Sequence, residues 1–432
     1  MNIPLDRLYP YIENLATDIY GDSVLIYRFW PHGSKNINDL GPIELVDWQD
    51  YILAPIVWGH DQEPLNYEFY SKNIRDDNIP WKSILKSLDL LDRPKNLNYL
   101  QNVFEKNILL HSEQRSDDLE KYNNANELIP VYYWSHAVIS RNWFRYAELE
   151  QFKKATQKTF LIYNRAWSGT REYRLKFADN LVRLGLENDC KMSISPVEPE
   201  LGIHYDLHKF ANPAWRPTNV LENYFPISTA QSYYSADFDT NDYNSTEIEV
   251  VLETLFDDNR LHLTEKALRP IACGQPFILA GTHGSLEYLR KYGFKTFGMV
   301  WDERYDECAD PEERLAKITD LMKQIANWGP WLREQKMAEA RKIAEYNRQH
   351  FFSKEFVDHV ITELKTNLSL AFCEIKQCNN YDHWINRWNK FLNYPEIVEF
   401  LTVNENTRLP TKEQVDFIMK LAQHKLAEKN SL

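Results

Sequence analysis

No stretch of this chain approaches the ~18 apolar residues needed to span a membrane, and Met1 to Tyr20 lacks the basic start and apolar core of a secretion signal. A membrane partner is therefore not expected, and the cytoplasm is the expected location. The five cysteines (Cys190, Cys273, Cys308, Cys373 and Cys378) are odd in number and lack close metal-ligand pairing. This argues against a disulfide frame or zinc cluster and fits a reducing compartment. Positive charge is not in excess either. The 50 basic and 63 acidic residues leave a formal charge of −13, so there is no general attraction to phosphate backbones or anionic lipid. Any nucleic-acid contact would need a local basic patch. Internal repeats and low-complexity linkers are absent, and glycine is scarce at 13 residues.

What the chain does have is length. Its 432 residues exceed the ~250–300 at which single cores usually stop growing, so two domains are expected. Aromatic residues reach 14%, with 13 Trp and 25 Tyr, and such rings serve both as core and as stacking surfaces for sugars and bases. Strand-like and helix-like stretches alternate throughout. Ser23–Phe29, Ile52–Trp58 and Asn107–Leu110 read as short buried strands, with helices at Trp81–Leu91 and Tyr99–Lys106. Glu148–Lys158 is polar and helix-prone. A strand at Thr159–Tyr163 and a helix at Arg171–Leu184, closed by Gly185, follow it. Further strands are expected at Ile248–Thr254 and Pro276–Ala280. Helices are expected at Glu265–Ala272, Ser285–Tyr292 (ended by Gly293), Glu312–Ala326 and Trp331–Phe352. Such alternation implies an α/β fold with parallel sheets. The domains are placed at residues 1–150 and 151–353, with a helical extension over 354–432.

The most informative stretch runs from Glu253 to Ala280. Thr264 is a good helix N-cap, which puts Glu265 and Lys266 in the first turn, where free N–H groups and the helix dipole favour an anion such as a diphosphate. Lys266 adds a full positive charge, and the Glu265 carboxylate can accept hydrogen bonds from a ribose or sugar hydroxyl pair. Pro270 cannot donate to the Lys266 carbonyl, so the helix should be kinked or short, and Gly274 suits its C-terminus. Taken alone, Thr-Glu-Lys is a common triplet that reads as a solvated helix start. In its wider setting, an acidic loop, Thr-Glu-Lys, an interrupted helix, Gly-x-Pro and a buried strand, it resembles the donor-binding segment of GT-B glycosyltransferases. The closest resemblance is to α1,3-fucosyltransferase-like proteins and to a group of glycosyltransferase-like proteins from bacteriophages and other large viruses. Gly281–Phe297 and Trp301–Asp306 extend it, looking like the Gly-Ser-Leu-x-x-Leu and Gly-Phe-x-Thr-Phe blocks of the viral group.

The resemblance implies two Rossmann-like parallel-sheet domains facing a cleft, with Thr264, Glu265 and Lys266 holding a nucleotide-diphosphate sugar and Gly281, His283 and Gly284 lying beside it. Arg165, after the Tyr163-Asn164 strand end, resembles the basic residue that neutralises the diphosphate on the first loop of the donor domain. Arg171 and Arg174 follow on one helix face. In the first half, His60-Asp61-Gln62-Glu63-Pro64 follows a hydrophobic strand and resembles an Asp-Gln-Glu-Pro block of the viral group. Asp61, Glu63 and His60 are the candidate bases for an acceptor hydroxyl, against the plainer reading of a turn closed by Pro64. His136 and His111 sit at strand ends and are candidates for the same cleft, although a lone histidine is more often structural. Arg141, Trp143 and Arg145 belong to an Arg-Asn-Trp-Phe-Arg-Tyr run suited to stacking a base or sugar at the acceptor side. It resembles a viral block that has an acid where Asn142 stands here. Asp237-Phe238-Asp239 matches an Asp-x-Asp metal site only superficially, in a turn-rich acidic stretch, and no metal or other cofactor is expected.

The function expected is metal-independent transfer of a sugar from a nucleotide-diphosphate donor to a hydroxyl. The acceptor suggested by the viral resemblance is a hydroxymethylated pyrimidine in duplex phage DNA, which would place the protein in the host cytoplasm. A glycan or protein acceptor is the alternative, and a GT-B-like protein that binds without turnover is the alternative from a different class.

Overall fold

A computed structural model describes residues 5–20, 25–28, 56–59, 107–117, 128–199, 201–219, 221 and 238–378. The chain divides into two compact units. One comprises Asp6–Ser112, Asp117–Ser135 and Ile361–Leu432, and is called the N-terminal unit below. The other, the central unit, comprises Met1–Leu5, Glu113–Ser116 and His136–Val360.

The N-terminal unit contains helix α1 (Leu5–Tyr20) and strands β1 (Leu25–Arg28), β2 (Ile56–Gly59), β3 (Asn107–His111) and β4 (Leu128–Tyr132). The strands form one parallel sheet in sequential order, β1-β2-β3-β4. Leu109 of β3 faces Pro130 of β4 in the register. Proline has no N–H to give a second neighbour, and β4 pairs only with β3 among the described strands, an edge position that tolerates it. Ile108, Leu110, Ile129 and Val131 are buried, as are Tyr20 and Phe372, whose rings meet at 4.9 Å. The helices expected at Trp81–Leu91 and Tyr99–Lys106 lie outside the described residues.

Helix α2 (Ser135–Trp143) leads into the central unit, where β5 (Lys158–Ile162), α3 (Tyr173–Leu184), β6 (Cys190–Met192), α4 (Thr240–Ser245) and β7 (Thr246–Leu252) follow. They are succeeded by α5 (Glu265–Ala272), β8 (Phe277–Ala280), α6 (Ser285–Lys291), α7 (Pro311–Ala326) and α8 (Pro330–Phe352). The last described helix, α9 (Lys354–Cys378), begins in this unit, and the expected extension beyond it lies outside the described residues. The four strands are parallel in the order β6-β5-β7-β8. Phe160, Leu161 and Ile162 of β5 and Val250 and Val251 of β7 are all fully buried. Burial of consecutive residues means both faces of the sheet are covered, as expected of parallel sheets whose crossovers are helices. Each such side chain contributes about 1.5–3 kcal/mol relative to exposure. The described residues are thus α/β with two parallel sheets, compatible with Rossmann-like units.

Local chemistry sets the helix ends. α3 closes on Gly185 at φ 68°, with Leu186 N–H bonded to the Leu181 carbonyl and Gly185 N–H to the Val182 carbonyl, a paired arrangement open to a left-handed residue. α5 passes through Pro270 and ends two residues later, with Gly274 at φ 64° just beyond it. The polar stretch Glu148–Lys158 is a correction, since no helix forms between Gln151 and Gln157. Its N–H groups are drawn elsewhere: Ala155 donates to the Asn244 carbonyl and Gln157 to the Ser245 carbonyl, both at 2.8 Å. The Lys154 ammonium spans the Tyr243 and Thr246 carbonyls and the Gln275 side chain. Tertiary hydrogen bonds here outweigh a few tenths of a kcal/mol of helix propensity per residue.

Candidate functional site at the carboxyl edge of the central sheet

From β5 the chain moves outward to β6 and then returns to the other side of β5 as β7, so the winding direction reverses between β5 and β7. In open α/β sheets, the crevice beyond the carboxyl ends of such a strand pair is where ligands bind. Here the Arg174 guanidinium bridges the two ends. It donates to Asn164 Oδ1 (2.9 Å) and the Ala166 carbonyl (2.6 Å) after β5, and to the Leu252 (2.7 Å) and Glu253 (3.0 Å) carbonyls at β7. Tyr173 Oη donates to the Glu253 carbonyl at 2.7 Å. Arg174 is fully buried and fixes the spacing of the strand ends, so its role is structural.

Next to this crevice lies the start of α5, and its electrostatics differ from expectation. Glu253 follows β7 with no solvent exposure and turns its carboxylate onto the helix N-terminus. Oε1 accepts from the N–H groups of Thr264 and Ala267, both at 3.2 Å. Oε2 accepts from the Thr264 hydroxyl at 2.7 Å and the Thr254 N–H at 3.2 Å. Thr264 Oγ1 in turn caps the Lys266 N–H at 3.4 Å. The dipole favours an anion at this end, and the chain's own carboxylate is that anion. The expectation that these N–H groups stand open for a diphosphate is therefore corrected.

The side chains of the first turn remain at the edge. Lys266 Nζ lies 2.8 Å from Glu265 Oε1, 3.3 Å from Thr264 Oγ1 and 3.4 Å from Thr254 Oγ1. Glu265 Oε2 is 3.4 Å from Nε2 of His136, and the His136 ring meets His262 edge-on at 5.2 Å. Burial holds the His136 imidazolium pKa down at about 3, with Glu265 opposing the shift and His262 and Lys266 adding to it. The ring is therefore neutral, and its buried Nδ1 has no hydrogen-bond partner among the described residues.

After β8, Gly281 comes so close to its surroundings that an added Cβ would stand 2.8 Å from Ser285 Oγ, which explains the glycine. The buried Arg314 anchors this loop by donating to the Gly281 carbonyl at 3.1 Å. Gly284 precedes α6 at φ 81°. Between them, His283 meets Arg115: Nη1 lies 2.8 Å from His283 Nε2, and Nη2 donates to the His283 carbonyl at 2.6 Å. Desolvation and the nearby Arg115 and Arg314 push the His283 pKa down. Comparison with protein-family models, curated proteins and solved structures finds no match to this chain.

The structure thus gathers Thr264, Glu265, Lys266 and His136 in one cluster, and Gly281, His283 and Gly284 in the neighbouring loop. Arg165 is exposed, with a contact of its own, and Arg171 Nε donates to the Ser168 carbonyl at 3.2 Å. Arg141 and Arg145 are turned to other partners. Arg141 is buried against the end of α8, donating to the Phe351 carbonyl at 3.0 Å. Arg145 donates to the Asn142 carbonyl at 2.6 Å and covers the Tyr146 ring at 4.3 Å. Trp143 is half-buried on α2. His111 belongs to the N-terminal unit, with its ring 5.7 Å from Tyr132. Asp239 caps α4 through the Asn241 N–H at 2.7 Å, and Asp237 lies outside the described residues. His60, Asp61 and Glu63 also lie outside them. Sequence reasoning missed Glu253, His262 and Arg115, whose significance comes from partners distant in the chain.

Proposed function

We propose that the protein is a glycosyltransferase of the GT-B kind, a class in which two Rossmann-like domains face each other across a cleft, and that the carboxyl edge of the central sheet takes the nucleotide-diphosphate sugar. The observation that carries this reading is the first turn of α5. A buried carboxylate organises it, and it presents Lys266 and Glu265 beside the β5–β7 switch point. In this role Lys266 stabilises the diphosphate leaving group as its charge develops, and Glu265 accepts from hydroxyls of the ribose or the sugar. The helix N–H groups serve Glu253, so the Lys266 ammonium supplies the anion contact at this turn. The proton of the acceptor hydroxyl goes to a carboxylate in the Asp61–Glu63 segment. A hydroxymethylated pyrimidine of DNA is the acceptor to try first, and a glycan precursor second.

The reading is tested by thermal unfolding of the full chain with each common nucleoside diphosphate. One of them raises the melting temperature of the native protein, and Lys266→Ala removes that shift. Absence of a shift with every diphosphate rejects the proposal. With the stabilising nucleotide known, mass spectrometry of hydroxymethylcytosine DNA incubated with its sugar conjugates reads out transfer.

A further inference from the structure

Residues Glu113–Ser116 follow β3 but belong to the central unit. They are held there by an isolated antiparallel bridge in which Gln114 and Leu261 exchange both backbone hydrogen bonds at 2.9 Å, and by Arg260 Nη1, 3.8 Å from Glu113 Oε1. The next residue, Arg115, has φ 55° and is the one non-glycine residue at positive φ among the described residues. A left-handed arginine costs about 1 kcal/mol and persists only where neighbouring contacts impose it. The bridge on one side and His283 on the other do so here.

The guanidinium is consequently exposed yet fixed in position. Two of its five N–H groups bind His283, at Nε2 and at the carbonyl. Because arginine only donates, His283 Nε2 must accept, which assigns the neutral ring its proton on Nδ1. Nε and one hydrogen on each terminal nitrogen have no partner among the described residues. Asp306 and Glu287 are the acids whose charges act on Arg115, and neither reaches it as an ion pair. By contrast, Lys266 is paired with Glu265, and Arg174 and Arg314 are buried and spent on carbonyls. Arg115 thus presents the rest of its planar fork beside the loop that follows β8, where its terminal nitrogens lie 3.7 and 3.9 Å from the place a Cβ would take at Gly284.

The geometry points to Arg115 as an anion ligand of this edge, its fork taking a phosphoryl group and His283 acting as the positioning residue that aims it. This rests on the reading of the edge as a diphosphate site, but it can be tested apart from sugar transfer with inorganic pyrophosphate alone. Titration calorimetry should show pyrophosphate binding to the native protein. Arg115→Gln should weaken it about tenfold or more, the worth of one to two charge-assisted hydrogen bonds. Arg115→Lys, which keeps the charge without the fork, should recover part of the loss. His283→Ala, which frees the fork, should fall between native and Arg115→Gln.

Failure of the native protein to bind pyrophosphate at millimolar concentration overturns the inference. So does an Arg115→Gln protein with native affinity, including one whose only change is a lower melting temperature, since that is the signature of a purely structural latch. If pyrophosphate binds through Arg115 while no sugar nucleotide binds, the transferase reading fails and the anion site stands. If sugar nucleotides bind with no dependence on Arg115, the anion site alone fails.

Discussion

Removing the Glu253 carboxylate is the most direct challenge to the way this site is built. Four donors converge on it: three backbone N–H groups, of Thr254, Thr264 and Ala267, and the Thr264 hydroxyl, at 2.7 to 3.2 Å. Thr264 and Ala267 are almost fully buried, so their donors cannot turn to water when the carboxylate goes. Each buried donor left unpaired costs about 1–3 kcal/mol, and donors sharing one acceptor do not add fully. Glu253→Ala is therefore expected to destabilise the protein by about 3–5 kcal/mol. Glu253→Gln keeps one oxygen acceptor but turns an amide donor toward other donors, so it should cost about 1–3 kcal/mol. Equilibrium urea unfolding at neutral pH, with the slope checked for constancy, measures both values. The changes should be accompanied by faster amide exchange at Ala267. If Glu253→Ala loses less than about 0.5 kcal/mol, the typical range for an uninvolved surface position, the carboxylate does not cap the helix and the account of α5 is wrong.

Two further outcomes follow from the same structure. Arg269 of α5 and Glu249 of β7 form a buried pair at 2.6 Å, which Tyr243 joins through its hydroxyl. Arg269→Ala alone should cost about 3–5 kcal/mol, while Arg269→Met with Glu249→Leu should cost much less, because the penalty lies in the abandoned charge. A double-mutant cycle in which the two single losses simply add would contradict this. His136 makes a prediction about pH. Its folded pKa is depressed, so the stabilising contribution is present above the unfolded value near 6.5 and is lost as pH falls toward about 3. Between pH 6.5 and 5 the native protein should lose about 2 kcal/mol more than His136→Asn, which cannot titrate there. Equal losses in the two proteins would show that the ring is not held neutral.

Much of the central unit was legible in the chain because its causes are local. The apolar runs of β5, β7 and β8 and the Thr264 cap that begins α5 each act within a few residues. So do the glycines after α3, α5 and α6, which adopt positive φ at Gly185, Gly274 and Gly293. Strand β6, three residues long, was too short to carry a pattern. Glu148–Lys158 misled because its helix propensity is worth less than the carbonyls of Asn244 and Ser245 that claim its N–H groups.

By itself, then, the sequence determined the alternation of strands and helices, the ends of most helices in the central unit, and the presence of Thr264, Glu265 and Lys266 at a helix start. Tertiary structure alone decided which anion meets that helix start, that Arg174 is sealed between two strand ends, and that Arg115 stands beside His283 from 168 positions away. Capping and turn preferences are free energies of neighbours along the chain. The electrostatics of the site depends instead on which charges burial leaves without solvent and which partners folding places within 3 Å, and neither is written in spacing.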